Sequence, residues 1–574
     1  MRHSLICPLG TLLAILALTA CSSGIPAPHN QASLLQAHSV AINQAAKPRN
    51  HYLACYRGEA KPECNLRIYQ IMVESFIDGD AKANFGTGYG TSHHKGDLQG
   101  IINSLDYIQG LGVNAIWLTP IFESSPIAGQ DPYASRLDAT GYFTSNYFAI
   151  DPRFGTLEQA KTLVDEAHKR GLYVFLDGVF GHYKENLAPS PSGRLPKRGP
   201  CYGSNGATYS GPHWACADYQ DPATLAFFGE VASYWIKALK IDGWRLDQAY
   251  QVPVADWSQL RQLVQESSKQ VTYLNPQGQT VHPLAYMVAE IWDNESTIAR
   301  TAYGTDEQPT LDSAFDFPLR YRLVQTLAVE EEYASSNRGS LPATTLDEGF
   351  NTWRAYPAHA MPNLMLGNHD LVRFGDLLER GGMAKPDEAN YWLRHQAAFS
   401  FLAAFSGPIT LYYGEEIGQQ LPGFADKQSR GCIEKGVCDD HVARTSGLVE
   451  GVAPEVGKAA SQLTPAQQTL RHYLTKLLQM RAAHPALYRG SRTHLYADSQ
   501  LYVDRKDAGQ DQILYALNTR ETPAEIQLAD KLVDHAPRLV DLLTGEVLSP
   551  DQEGHYQIAV PALTGRFLQL HGAP

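Results

Sequence analysis

An α/β fold is predicted by the sequence: a (β/α)8 TIM barrel with a small domain inserted after its third strand and an all-β domain at its C-terminal end. Eight short apolar runs alternate with amphipathic stretches between residues 66 and 414, as a barrel of eight strands and eight helices requires. A Pro- and Gly-rich segment follows the third run, and the helical periodicity ends near Gly490. The prediction rests on these three observations.

The apolar runs predict the barrel strands in chain order. The stretches between them place apolar residues three and four positions apart, which is the spacing of a helix face, and two of them end at Gly110 and Gly171. The predicted strands span residues 66–73, 113–119, 172–179, 241–247, 285–291, 313–318, 363–367 and 408–414.

Composition divides the chain into four segments. A signal peptide is expected over residues 1–20, and a polar tether and N-terminal extension over residues 21–65. The barrel is expected over residues 66–490, with its inserted domain at about 183–222, because a loop of roughly 40 residues in a compact domain is usually functional. Short alternating runs predict a β-sandwich over residues 491–574.

The N-terminal segment has the pattern of an export signal. Arg2 and His3 precede an apolar run at residues 12–18 that is too short to cross a membrane. The Leu-Thr-Ala-Cys sequence at residues 18–21 resembles a bacterial lipobox, in which Cys21 is lipidated; an ordinary signal peptide cleaved just before it is the alternative. We therefore expect an exported lipoprotein, anchored in the outer membrane only through the lipid on Cys21, or otherwise periplasmic or secreted.

The overall charge excludes one class of partner. The chain has 47 Lys and Arg against 60 Asp and Glu, which gives a net charge of −13. Nucleic-acid binding usually needs a basic patch, so no nucleic-acid partner is expected. The hydrophobic fraction of 44% also excludes a wholly disordered chain.

Six cysteines remain outside the predicted signal segment, and they form three close couples. Although six cysteines allow fifteen connectivities, local pairing is the simplest, and an exported chain favours disulfides. Free thiols or a metal site are the alternatives, but no couple has the CxxC spacing. The couples are Cys55 with Cys64, Cys201 with Cys216, and Cys432 with Cys438.

Charged side chains lie at the ends of four predicted strands. A charge at the end of an apolar strand is costly to bury without a partner, so each one alone is consistent with a structural salt bridge. Four of them in barrel order would converge on one mouth of the barrel, which indicates a functional site. The segments are LDGVFGH at 176–182, GWRLD at 243–247, VAEIW at 288–292 and LGNHD at 366–370.

These four segments resemble the signature regions of the α-amylase family, glycoside hydrolase family 13, and its neopullulanase-like members. The resemblance runs from about residue 67 to the C-terminus. It also includes GDLQG at 96–100, GYF at 141–143 and YYGEE at 412–416.

The resemblance implies a role for each of three carboxylates. Asp247 is expected to be the nucleophile, Glu290 the general acid/base, and Asp370 the carboxylate that stabilises the transition state. A retaining glycosidase needs one ionised and one protonated carboxyl group, so their environments must push the two pKa values apart. We expect Arg245 to hold Asp247 ionised and Asp370 to keep Glu290 protonated.

Further residues match positions that bind the sugar in this family. His182 and His369 resemble the imidazoles that hydrogen-bond the sugar before the scissile bond, and Tyr142 resembles the ring on which it stacks. Asp177 is expected to anchor Arg245. The expected substrate-binding residues are Tyr142, Asp177, His182, Arg245, His369 and Arg373.

The chain departs from the family pattern around the site. Gly181 replaces an Asn that commonly binds calcium, so that calcium site is not expected. Thr140 replaces a frequent His, and the residues after Asp247 are Gln248, Ala249 and Tyr250 in place of a common Lys-His, so the acceptor side of the cleft should differ.

Another calcium site is suggested by the resemblance. An acidic loop after the first strand resembles an oxygen-ligand loop of neopullulanase-like and transferase members, and hard oxygen ligands suit Ca²⁺. A solvated acidic turn is the alternative, and no organic cofactor is expected. The expected ligands are Asp78, Asp80, Asn84 and Asp97.

We therefore expect an exported retaining glycoside hydrolase that cleaves α-1,4-glucosidic bonds in starch-derived glucans and maltodextrins. A glucanotransferase or a cyclomaltodextrinase or neopullulanase on the same fold is the first alternative. A surface glucan-binding protein without catalysis is the second, and it is disfavoured because all three carboxylates are present.

Overall fold

The computed structural model describes residues 37–45, 53–87, 92–204, 206–209, 213–329, 339–421 and 443–572. The expected signal peptide, the lipidation site Cys21 and the couple Cys432 and Cys438 lie outside these residues. Within the described part of the chain, no helix is both long and apolar enough to cross a membrane.

Eight parallel strands close into a barrel, which confirms the predicted fold class. Each strand pairs with the next in the chain, and the eighth pairs with the first. Every strand overlaps its predicted run; the seventh begins two residues earlier. In chain order they are Arg67–Ile71, Ala115–Leu118, Tyr173–Gly178, Gly243–Leu246, Tyr286–Ala289, Ser313–Phe315, Met361–Met365 and Ile409–Tyr412.

Helices surround the barrel and bury their apolar faces against it. Local sequence sets where they begin: Thr156 and Gln159 form a capping box, and Asp97 accepts a hydrogen bond from Gly100 N at the start of the first helix. The helices are Leu98–Gly110, Pro132–Ala139, Leu157–Lys169, Pro222–Leu239, Val254–Lys269, Glu295–Ile298, Phe317–Leu327, Thr344–Asn351, Phe374–Arg380, Ala389–Ala404, Pro465–Ala483 and Pro485–Arg489.

The segment after the third barrel strand forms small antiparallel sheets. A disulfide between Cys201 and Cys216 connects two of its strands, and a second disulfide joins Cys55 to Cys64. Both confirm the predicted local pairing. The strands are His182–Lys184, Arg198–Gly199, Cys201–Tyr202, Thr208–Tyr209 and Trp214–Ala217.

The C-terminal region contains two sheets that share one apolar core, as a sandwich does. The larger sheet has the strands Ser491–Ala497, Leu501–Ala508, Asp511–Asn518, Arg538–Asp541, Val547–Leu548 and Gly565–His571. The smaller sheet has the strands His38–Ile42, Ala524–Ala529 and His555–Val560.

The strand His38–Ile42 comes from the segment expected to be a tether and extension. It pairs in parallel with Ala524–Ala529 at the edge of the smaller sheet. The sequence pattern does not predict this strand, because only Val40 and Ile42 alternate as apolar residues in its five positions.

Candidate active site

A cavity of about 530 Å³ lies at the carboxyl ends of the barrel strands. It combines carboxylates, imidazoles and aromatic rings, which is a lining suited to a neutral polyhydroxylated ligand. The cavity is lined by Leu137, Thr140, Tyr142, Phe143, His182, Ser204, Asp247, Gln248, Tyr250, Glu290, Trp292, His369, Asp370 and Arg444.

Arg245 lies beneath the cavity and connects three carboxylates. Its Nη1 donates to Asp177 Oδ1 at 2.8 Å and to Asp247 Oδ1 at 2.9 Å. Its Nη2 lies 3.3 Å from Glu290 Oε2. Arg245 and Asp177 are fully buried, so this ion pair fixes the positions of the two carboxylates that reach the cavity.

The two oxygens of Asp247 have different environments. Oδ1 accepts the hydrogen bond from Arg245, whereas Oδ2 is buried and has no hydrogen-bond partner among the described residues. The strand holds the backbone, since Asp247 N donates to Gly178 O at 3.0 Å. The carboxylate is therefore fixed through one oxygen and leaves the other available to a ligand.

Burial raises the pKa of Asp247 and of Glu290 to about 7, and the Arg245 cation opposes this rise at both groups. The sequence-based expectation was different: Arg245 was to hold Asp247 ionised and separate the two pKa values. In the ligand-free cavity the cost of desolvation exceeds the stabilisation by Arg245, so the pKa values of both groups rise.

A chain of hydrogen bonds runs from Gln70 to Asp177 along one wall. Gln70 Nε2 donates to His369 Nδ1 at 2.7 Å, so the proton of the neutral ring is assigned to Nε2. His369 Nε2 lies 2.7 Å from Tyr142 OH, which donates to Asp177 Oδ2 at 2.8 Å. Burial lowers the pKa of His369 to about 3, which keeps the ring neutral.

Arg444 holds the third carboxylate of the cavity. Its Nη2 donates to Asp370 Oδ1 at 2.6 Å, and its Nε donates to His369 O at 3.1 Å. Burial alone would raise the pKa of Asp370, but charge interactions that include Arg444 and Arg245 lower it. Asp370 is therefore the carboxylate of the cavity with the strongest tendency to remain ionised.

Gln251 occupies the space beside Gly181. A Cβ atom at position 181 would lie 2.0 Å from Gln251 Oε1. That oxygen lies 3.1 Å from His182 Nδ1, and Gln251 Nε2 donates to Tyr209 OH at 2.7 Å and to Gln248 Oε1 at 2.9 Å. The Gln251 amide thus links the inserted segment to the cavity. It occupies the space beside position 181, where the family pattern has an Asn.

The structure brings most of the predicted site residues together. Asp247, Glu290, Asp370, Tyr142, His182 and His369 line the cavity, and Asp177 and Arg245 lie directly beneath them.

Arg373 is the exception. It is buried, donates to Thr445 Oγ1 and Tyr413 O, and packs against the rings of Tyr412 and Tyr413. It does not line the cavity, so the geometry does not support its expected role in substrate binding.

Trp292 and Arg444 line the cavity, although the sequence analysis assigns neither of them a role. Trp292 is 45% exposed. Its ring stacks on Phe317 with centroids 5.6 Å apart, and its Nε1 donates to Tyr321 OH. Its sequence signal is its place in the VAEIW segment, two residues after Glu290. Arg444 has no such signal, because it lies 74 positions from Asp370 and outside the segments that resemble the family.

The expected calcium ligands form a hydrogen-bonded turn. Asp97 Oδ2 accepts from Gly79 N and Asp80 N at 3.0 and 2.7 Å, and Oδ1 accepts from Gly100 N at 2.7 Å. Among the described residues, no group of three or more His, Cys, Asp or Glu side chains is arranged to hold a metal ion. Asp78 Oδ1, in contrast, is buried and has no hydrogen-bond partner among the described residues, and calcium binding stays a prediction.

The comparisons with known proteins agree with the motifs. A family model for the α-amylase catalytic domain matches residues 70–191 and 217–447. A cyclomaltodextrinase of Geobacillus thermopakistaniensis (strain MAS1) is 28% identical over 515 residues, which cover 84% of this chain and 74% of the relative. Neopullulanase 2 of Thermoactinomyces vulgaris is 27% identical over 531 residues, which cover 87% and 77%.

A solved structure covers nearly the same extent. The crystal structure of an AmyP variant in complex with maltotriose has a TM-score of 0.83 and 54% sequence identity, and covers 91% of this chain and 99% of that protein. The family model matches more than half of the residues of this chain. The chain therefore belongs to the α-amylase family of glycoside hydrolases.

Proposed function

We propose that the chain is an exported retaining glycoside hydrolase that cleaves α-1,4-glucosidic bonds in starch-derived glucans and maltodextrins. The observation that supports it best is the environment of Asp247: Arg245 holds Oδ1, and the buried Oδ2 has no hydrogen-bond partner among the described residues. A nucleophilic carboxylate needs this combination of a fixed position and one free oxygen.

In the proposed first step, Asp247 Oδ2 attacks the anomeric carbon and forms a glycosyl ester. The glycosidic C–O bond breaks, and Glu290 gives its proton to the leaving oxygen. In the second step Glu290 takes a proton from water, and the water oxygen attacks the anomeric carbon and releases Asp247. Two inversions retain the configuration, which is how a retaining glycosidase uses two carboxyl groups.

Glu290 is proposed to hold the proton that the first step transfers to the leaving oxygen. Arg245 donates to Asp247 at 2.9 Å but lies 3.3 Å from Glu290. The cation therefore favours the ionised form of Asp247 over that of Glu290. The charge of Asp370 raises the pKa of both groups, so the hydrogen bond from Arg245 to Asp247 is the contact that favours a proton on Glu290 when the substrate binds.

The wall of the cavity is proposed to bind the sugar before the scissile bond. Asp370 would accept hydrogen bonds from two sugar hydroxyls, and Arg444 keeps it ionised. His369 and His182 present polar ring atoms, and the Tyr142 ring lies parallel to that of His369 at an interplanar angle of 5°. Trp292 offers an exposed ring to a further sugar.

The substrate class is supported by the similar proteins. AmyP has been crystallised with maltose and with maltotriose, and these are fragments of α-1,4-glucans. The names of the two relatives, cyclomaltodextrinase and neopullulanase, favour a second candidate: hydrolysis of cyclodextrins or pullulan, with or without transfer to a sugar acceptor. Both candidates use the same site.

Product analysis tests the proposal and separates the candidates. We expect the native enzyme to release an α-configured first product from maltoheptaose, observed by proton NMR before mutarotation. Starch should be cleaved faster than β-cyclodextrin and pullulan, and added maltose should leave the product pattern unchanged. A β-configured first product would exclude retention. Faster cleavage of cyclodextrin would favour the second candidate, and longer products with maltose would indicate transfer.

Export is also part of the proposal. The lipobox-like sequence supports it, and the disulfides Cys55–Cys64 and Cys201–Cys216 are typical of an oxidising compartment. Labelling with a radioactive fatty acid tests lipidation. A Cys21→Ser variant should lose the label and leave the membrane fraction, whereas equal labelling of both chains would contradict anchoring through Cys21.

A further inference from the structure

A second cavity, of about 280 Å³, lies at the opposite end of the barrel. Three of its residues show this placement: Asn114 directly precedes the second barrel strand, Tyr173 begins the third, and Leu284 precedes the fifth. The candidate active-site cavity lies at the carboxyl ends of the same strands. The two cavities are therefore separate sites on opposite faces of the barrel.

The lining of this second cavity contains polar groups but no Lys, Arg, Asp or Glu among the described residues. The amides of Asn114 and Asn275 and Nδ1 of His282 are uncharged groups that already bond within the protein. Gln277 adds an amide on an exposed turn. A charged ligand would be left without an opposite charge in such a cavity, which is unfavourable. A neutral ligand with many hydroxyl groups suits the lining better.

Tyr273 provides a rigid aromatic surface at this cavity. Its ring stacks on His168 with centroids 3.6 Å apart and an interplanar angle of 9°, and its hydroxyl donates to Asp242 Oδ1 at 3.0 Å. Both contacts fix the ring before any ligand binds. Aromatic rings with one polar end bind ligands that have both apolar faces and hydroxyls, as sugar rings do.

His168 contributes a polar ring nitrogen to the lining of this cavity. Asp242 accepts hydrogen bonds from Val174 N at 2.9 Å and Leu284 N at 3.2 Å, and His168 Nε2 lies 2.8 Å from its Oδ2. Because the carboxylate accepts, His168 Nε2 carries a proton, and Nδ1 is the other polar atom of the ring. That buried Nδ1 has no hydrogen-bond partner within the described part of the chain.

We propose that this cavity is a second carbohydrate-binding site, which holds a glucosyl unit of an α-glucan at the face of the barrel opposite the cleft. Its ligand class is that of the proposed substrate, so the inference rests on the proposed function. The site would hold a glucan chain without cleaving it, because the carboxylates of the cleft lie at the other end of the strands.

Calorimetric titration with maltoheptaose tests this proposal. The titrated protein is the full chain with Glu290→Gln, which prevents turnover. We expect two binding sites per chain. Adding Tyr273→Ala should remove one of them, whereas Tyr273→Phe, which keeps the ring and loses only the hydroxyl, should retain both. Gln277→Ala changes an exposed turn residue and should weaken the second site about 2- to 10-fold, as the loss of one hydrogen bond does.

The competing results are distinct. One site in the Glu290→Gln protein, or two unaltered sites in a folded Tyr273→Ala variant, would overturn the inference. If Tyr273→Ala does not fold, Gln277→Ala decides, and unchanged affinity at both sites would reject the cavity. Failure of the proposed function would give a different result. Maltoheptaose would then not bind in the active-site cavity, so the site expected to remain in Tyr273→Ala would be absent.

Activity provides an independent readout. In the otherwise native enzyme, Tyr273→Ala should leave kcat/KM for maltotriose unchanged and should reduce binding to starch granules, because only a long glucan can occupy both faces. An equal loss on both substrates would indicate a structural role for Tyr273 and contradict the proposal.

Discussion

Asp97 and Asp247 are both buried carboxylates, yet their oxygens have opposite environments. Three backbone N–H groups donate to Asp97, and both of its oxygens have partners. Asp247 Oδ1 is held by Arg245, and its Oδ2 is unpartnered among the described residues. The comparison shows that burial alone does not distinguish the two carboxylates, whereas their hydrogen-bond partners do.

The largest expected effect comes from removing the cation beneath Asp247. Arg245→Met would leave Asp177, Asp247 and Glu290 without their shared partner. Breaking a buried ion pair in this way should lower the free energy of unfolding by about 3–5 kcal/mol, and activity should fall at least about 100-fold. Denaturant titration and kcat/KM measure both effects.

The matched control for this change is an exposed ion pair. Arg170 pairs with Asp106 and Glu166 on the surface, and Arg170→Met should cost at most about 1 kcal/mol and leave activity unchanged. Similar losses in both variants would contradict the importance assigned to the buried cation.

Arg444→Gln should reduce kcat/KM about 10- to 100-fold, since it removes a hydrogen bond to the charged Asp370. Arg444→Lys keeps the positive charge beside Asp370 and should retain more activity than Arg444→Gln. Equal losses of kcat/KM in the two variants would show that Asp370 does not depend on the charge of Arg444.

Glu290→Gln should make the protein more stable at pH 8. Burial raises the pKa of Glu290 to about 7 in the folded chain, whereas the unfolded chain releases this proton near the ordinary pKa of a carboxyl group. Ionisation therefore costs stability as the pH rises between those two values. Gln cannot ionise, so the variant should gain about 1–3 kcal/mol at pH 8.

The gain should disappear below about pH 4, where the carboxyl group is protonated in both states. Thermal unfolding at the two pH values measures it. A variant that is less stable than the parent at pH 8 would contradict the raised pKa.

The smallest effect is expected at Asp97. Asp97→Ala removes a helix cap and two further hydrogen bonds and should lower the free energy of unfolding by about 1–2 kcal/mol. Thr464→Ala removes a cap with one accepted bond and is the matched control, with a loss of about 1 kcal/mol.

Chelation distinguishes the hydrogen-bonded turn from a calcium site. The turn predicts that a chelator leaves the Tm of the parent unchanged. A chelator-dependent fall in Tm that Asp80→Ala abolishes would support the calcium site expected from the sequence.

The barrel and the main site residues could be predicted because both follow from short local patterns. Buried strands read as apolar runs, and Asp247, Glu290 and Asp370 directly follow such runs. The roles in the site came from the family resemblance. The structure then added that burial raises the pKa of both Asp247 and Glu290, which depends on the surroundings in three dimensions and not on the motif.

Other features could not be read from the sequence. Arg444 reaches Asp370 through the fold, across 74 positions of the chain. Arg373 was expected to bind substrate, but its guanidinium packs on Tyr412 and Tyr413 instead. The sequence shows the carboxylates of the acidic loop. It does not show that backbone N–H groups donate hydrogen bonds to both oxygens of Asp97.

The central claim is that Asp247 is the nucleophile and Glu290 the acid/base, and rescue by azide tests it most directly. With an α-glucosyl-type fluoride donor, whose leaving group needs little acid assistance, Glu290→Gln should still form the glycosyl ester. Added azide should then speed its turnover and yield the α-glycosyl azide, since azide needs no general base. Asp247→Asn should stay inactive with or without azide. Azide rescue of Asp247→Asn but not of Glu290→Gln would show that the two roles are reversed.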